Sequence, residues 1–152
     1  MIMRSRTAIW FETKVKYEKV NEEGLQKKVT EQFVVEALSY TEAEARIIEE
    51  MSAYISGEFE IDGIKKASYK EVFFSDAENA DRFYKAKLDF ITIDEKTNKE
   101  KRSRSVYLVQ AASLKDAFKG IEDVMSGTMI DYDAAAIDGT NLLDVYEYKK
   151  EG

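Results

Sequence analysis

Val35-Glu36-Ala37-Leu38-Ser39 and Val109-Gln110-Ala111-Ala112-Ser113 mark the same junction twice, seventy-four residues apart. In each, a β-type run ends at a serine that opens a helix. Ser39 precedes Glu42 by three residues and Ser113 precedes Asp116 by three, the spacing in which the serine oxygen accepts an early helical amide and the acid bonds back. Downstream, Ala43, Ile47 and Met51 recur without a gap as Ala117, Ile121 and Met125, one apolar helix stripe written twice. Upstream, at an offset of seventy-three, Trp10-Phe11-Glu12-Thr13-Lys14-Val15-Lys16-Tyr17 aligns with Phe83-Tyr84-Lys85-Ala86-Lys87-Leu88-Asp89-Phe90, so the second hairpin holds one extra residue. Hairpin loops tolerate such a change. The agreement indicates an internal duplication.

Each copy reads as two strands, a helix and two more strands. Phe11, Thr13, Val15 and Tyr17 alternate with Glu12, Lys14, Lys16 and Glu18, the period-two pattern of a half-buried strand, and its partner spans residues 28–37. Asn21-Glu22-Glu23-Gly24 supplies a polar turn with a glycine for positive φ, and residues 94–99 do the same in the second copy. After the helices, residues 57–61 and 128–132 resume alternation, and residues 69–74 and 142–148 add a last strand to each half. The expected fold is therefore α+β: a duplicated ββαββ unit, repeats 8–75 and 82–148, with two helices packed on mainly antiparallel sheet about an internal pseudo-twofold. Residues 75–81 are polar but lack a glycine or proline run, so residues 1–152 are expected to form a single compact domain whose halves share one sheet or pack face to face.

The composition narrows the chemistry. The 152 residues are 44% hydrophobic and 35% charged, a globular balance, and carry a formal charge of −7. Cysteine and histidine are both absent, which removes thiolate nucleophiles, disulfides, imidazole bases and the common zinc ligands. Any catalysis would need carboxylates, lysines, tyrosines or hydroxyls. The acidity counts against duplex DNA, although a local basic face can still capture a small anion. No leader pattern follows Met1, and no run of apolar residues is long enough to span a bilayer, so a cytoplasmic setting without membrane contact is expected.

Residues 10–12, 24–32, 41–51 and 55–59, with 84–88, 91–96, 108–111 and 127–132, give the chain a family resemblance over nearly its whole length. It resembles domain-of-unknown-function family 4494, members of which are met in gut Bacteroidetes and in their phages and mobile elements. The resemblance implies the cytoplasm of a bacterial host and brings no activity, ligand or catalytic residue.

Candidate binding residues come from the strand pattern. Lys14 and Lys16 point outward in one copy, and Lys85 and Lys87 point outward from the aligned strand of the other. Lys28 matches Arg102, with Arg104 two residues on, so one face gathers cations. The plainer alternative is a solvated face neutralised by Glu12, Glu18 and Asp89. Trp10 and Phe83 fall on the same outward side. There they stack on a base, meet a partner, or lie buried between packed halves. Asp131 and Asp133 flank Tyr132 on one face, as Glu58 and Glu60 flank Phe59; such a pair is the minimum for a metal, but an outward polar face explains both copies more simply.

No cofactor and no metal site is expected, and no enzyme. The leading reading is a non-enzymatic binding protein of a phage or mobile element that engages a host protein or a small anionic ligand. The alternatives are a sponge that sequesters a nucleotide immune signal as an anti-defence device, and a single-strand nucleic-acid-binding protein. A duplicated face also suits a homo-oligomer.

Overall fold

The computed structural model describes residues 3–148. Among them are two helices and nine strands: β1 (Met3–Thr7), β2 (Trp10–Val20), β3 (Gln26–Glu36), α1 (Tyr40–Tyr54), β4 (Phe59–Lys66), β5 (Glu71–Ser75), β6 (Arg82–Ile93), β7 (Glu100–Ala111), α2 (Leu114–Met125), β8 (Tyr132–Gly139) and β9 (Leu142–Tyr146). The strands form two mixed sheets, a five-stranded one ordered β1-β5-β7-β6-β8 and a four-stranded one ordered β4-β2-β3-β9. The fold is α+β. The chain divides into two compact units: Ala8–Ser68 with the chain from Asn141 onward, called here the α1 unit, and the residues through Thr7 with Tyr69–Thr140, the α2 unit.

Local chemistry builds the hairpins and helices as their residues dictate. Gly24 takes a φ of 80° in the β2–β3 turn, where the Asn21 side chain accepts hydrogen bonds from the Glu23 and Leu25 amides. In the longer β6–β7 turn, Asp94 accepts from the Lys96 amide and Asn98 takes the left-handed conformation at φ 54°. Ser39 and Ser113 cap their helices, each accepting from the amide three residues on at 3.2 Å. The reciprocal half of the expected capping box is not made in α1, because the Glu42 carboxylate instead holds Arg46 one turn later at 2.6 Å.

Each helix seals the core of its own unit. Ala43, Ile47 and Met51 of α1 pack on Phe11, Val15, Phe33 and Val35, and Ala117, Ile121 and Met125 of α2 pack on Tyr84, Leu88, Tyr107 and Val109. The β2–β4 ladder shifts register between Lys14 and Val15, and the β6–β8 ladder between Lys87 and Leu88. Asp62 and Ala135 are the residues left over, a bulge at the same place in each sheet.

The last strand of each sequence half does not complete the sheet of that half. β5 follows β4 in the chain but pairs in parallel with β7, and β9 follows β8 but pairs in parallel with β3. A contiguous ββαββ unit is therefore not what folds, and the halves do not share one sheet. Chain reach explains the outcome for β9. To lie beside β7, β9 would have to clear three strand spacings from β8, about 14 Å at roughly 4.8 Å each. Gly139 to Leu142 is three Cα steps and reaches at most about 11 Å. Two further differences are local. β4 and β8 begin at Phe59 and Tyr132, later than the alternation suggests; ahead of β8, residues 126–129 turn, with Met129 at φ 57°. β1, assigned to no element from the sequence, is a five-residue strand held antiparallel to β5.

Candidate functional site

The expected basic face lies on the side of each sheet turned away from its helix. In the α2 unit it runs across β7, β6 and β8. Ladder pairing sets Arg104 directly opposite Asp89, and Asp89 opposite Asp133, so all three point to one face. Arg104 grips Asp89 with two bonds, Nε to Oδ1 at 2.8 Å and Nη2 to Oδ2 at 3.2 Å. Arg102 donates from Nη1 to Asp133 at 2.8 Å and lies 3.9 Å from Glu100. Two facing carboxylates would repel each other, and the two guanidiniums offset that repulsion. The Arg104 hydrogen bond holds the Asp89 carboxyl below its usual range, and the bond to Asp133 raises Arg102.

In the α1 unit the same face is more dilute. Lys16 pairs with Asp62, the bulge residue, at 3.2 Å. Lys28 stands opposite Glu18 and is exposed. Lys14 is exposed between Gln32 and Gly63, and its counterpart Lys87 sits between Val106 and Ala136. Lys85 lies opposite Asp138, with its ammonium 5.8 Å from the centre of the Tyr69 ring. Trp10 and Phe83 are 1% and 3% exposed, so neither offers a surface on which a base can stack.

The candidate residues thus share a face within each sheet, but the structure places carboxylates among the cations. Asp62, Glu100 and Asp133 have this role, and the sequence pattern did not mark them as cation partners. Asp133 was legible as outward-facing. Its alignment with Arg102 depends on the β6–β8 bulge, which alternation alone does not reveal.

One open concavity adjoins the charged face of the α2 unit, and another lies on the helix side of β4 in the α1 unit. One, of about 450 Å³, is lined by Ile91, Ile93, Asn98, Tyr132 and the carboxylates of Glu100, Asp131 and Asp133. The other, of about 390 Å³, lies between the start of α1 and the β4 bulge and includes Glu44 and Asp62. Acidic linings of this kind repel an anion. Among the described residues no group of three acidic side chains is arranged to hold a metal ion.

The family model for a domain of unknown function, DUF4494, matches residues 9–148. The chain belongs to the DUF4494 family. No curated protein matches this DUF4494 chain. No solved structure matches it either. Among its described residues no helix is long and apolar enough to cross a membrane.

Proposed function

We propose that this DUF4494 chain is a non-enzymatic binding protein of a phage or mobile element, acting in the cytoplasm of a bacterial host and engaging a host protein. The Arg104–Asp89 and Arg102–Asp133 pairs carry this reading. Cations already held by carboxylates present a mixed, patterned surface, and such a pattern gives specificity toward a complementary protein surface rather than affinity for one anion. The acidic concavity beside them, lined by Glu100, Asp131 and Asp133, supports the same choice over a nucleotide sponge. The phage or mobile-element setting draws its support from the family resemblance.

The test has two arms. Affinity capture with cross-linking from a Bacteroidetes lysate should recover a protein whose binding is weakened at least about tenfold by Arg104→Glu, the usual scale for a disrupted interfacial charge pattern. A parallel screen against cyclic dinucleotides and single-stranded oligonucleotides should show no saturable binding. Saturable binding of a cyclic dinucleotide, weakened about tenfold in Lys87→Ala, would favour the sponge instead.

A further inference from the structure

The outward face of the α2 sheet changes character toward the β6–β7 turn. Ladder pairing sets Ile91 opposite Arg102 and Ile93 opposite Glu100. The Ile91 amide donates to the Asp131 backbone oxygen at 2.9 Å, which carries the β8 side of the ladder past Asp133. Alternation puts Ile91 and Ile93 on the face of Asp89, and Asp131 on the face of Asp133. The two isoleucines, Ile93 69% exposed, thus form the floor of the concavity of about 450 Å³, with Glu100 on one side and Asp131 on the other.

The charges there do not balance. Among the described residues, the lining holds three carboxylates and no cation. Arg102, at its margin, binds Asp133 at 2.8 Å and reaches Glu100 only at 3.9 Å. Asp131 is exposed and has no ion pair among the described residues. The excess negative charge therefore sits at Glu100 and Asp131, on either side of the apolar floor. The α1 unit does not repeat this arrangement, since Glu18 stands in the place of Ile91 and Gln26 in that of Glu100.

We infer that this concavity receives one basic side chain projecting from the protein partner, its methylenes on Ile91 and Ile93 and its charged head between Glu100 and Asp131. Charge complementarity selects the occupant, and the floor narrows the choice: arginine and lysine join an apolar stem to a cationic end, so one side chain answers both parts of the lining. The backbones of Glu100 and Asp131 flank β6 and lie two strand spacings apart, about 10 Å, a gap that one charged head bridges together with the two acidic side chains. An anion is repelled here, and among the described residues no three acids are arranged to hold a metal ion. The inference rests on the reading of this chain as a protein-binding module and names the surface and the chemistry of the partner.

The probe is a short glycine-serine peptide with one central arginine, added at millimolar concentration to the full isotope-labelled chain, and the readout is the shift of the Ile91, Ile93 and Asp131 amide resonances. The shifts should saturate, and lysine in place of the arginine should reproduce them. Norleucine, which keeps the stem without the charge, should bind at least about tenfold more weakly. Asp131→Asn and Glu100→Gln, both at exposed positions, should each weaken the arginine peptide by about tenfold, the scale of one charge-assisted bond. No saturable shift, equal affinity for the norleucine peptide, or affinity unchanged in both variants would each overturn the inference. So would spermidine binding more tightly than the peptide, which would make a free polyamine the occupant. If lysate capture succeeds and the captured protein holds Asp131→Asn and Glu100→Gln as well as the unaltered chain, the concavity is excluded and the protein-binding reading stands. Capture that fails while the peptide saturates removes the host-protein reading and leaves the site.

Discussion

Tyr146 stacks on Phe33, ring centroids 6.0 Å apart and planes inclined by 27°, although more than a hundred residues of chain separate them. The α2 unit holds the same contact with the residue types exchanged, Phe73 on Tyr107 at 5.1 Å and 22°. In both cases a short parallel strand, delivered from the other half of the sequence, is pinned by one aromatic pair over the core. Tyr146→Ala should therefore cost about 2 kcal/mol or more, and a double-mutant cycle with Phe33→Leu should give a coupling of about 0.5–1.5 kcal/mol. A coupling indistinguishable from zero in urea unfolding would mean that the rings touch without holding β9 in place.

Ile47 and Ile121 are fully buried at matching positions in α1 and α2. Each alanine substitution should cost about 2–5 kcal/mol, since neither tight core can collapse around the lost atoms. Denaturant titrations of the two variants provide the check. A change under about 0.5 kcal/mol at either site would show that helix to be dispensable to its sheet.

The serine caps are equivalent and exposed enough to be altered without disturbing a core. Ser39→Ala and Ser113→Ala should each lower stability by about 1 kcal/mol, with the glycine variants milder by several tenths. If alanine and glycine prove equal to serine by thermal unfolding, the 3.2 Å bonds to Glu42 and Asp116 contribute nothing.

Stability should fall in alkali. The Tyr17 hydroxyl donates to Glu31 at 2.5 Å, and burial, then that hydrogen bond to the carboxylate, pushes its ionisation well above the ordinary value of about 10. Burial, with Asp144 and Glu50 nearby, pushes Tyr146 up to about 12. The folded state thus keeps protons that the unfolded chain releases near pH 10. The contribution is complete below that pH and declines as the pH rises toward the folded values. Urea midpoints measured from pH 8 to about 11.5 should drop from near pH 10 onward, and Tyr17→Phe should decline less steeply. A slope unchanged by Tyr17→Phe would show that Tyr17 is not part of the linkage.

The sequence by itself determined what short-range chemistry controls. Alternation from Phe11 to Tyr17 specified a half-buried strand, Asn21 to Gly24 specified its turn, Ser39 and Ser113 specified where the helices start, and the Ile47 and Ile121 stripes specified which faces are buried. Each of these rests on neighbours within a turn or a strand length, so the signal lies within one window of sequence. Lys14, Lys16 and Lys87 were also legible as lying off the core, by the same alternation.

Only the tertiary structure decided where β5 and β9 go and which acid meets which cation. Glu71-Val72-Phe73 and Asp144-Val145-Tyr146 suit either β3 or β7, because the edges they meet, Val34-Val35 and Leu108-Val109, have the same shape and polarity. Local pattern cannot choose between equal edges. The choice for β9 between these two edges is made by connection length against sheet order: three Cα steps after Gly139 are too few to clear three strand spacings, so β9 cannot reach the β7 edge and takes the equivalent β3 edge. Register follows the same logic. The bulges at Asp62 and Ala135 each put one extra residue into the ladder; counted from Lys87 opposite Ala136, an even ladder would set Ala134 opposite Asp89, and the extra residue sets Asp133 there instead, within reach of Arg102.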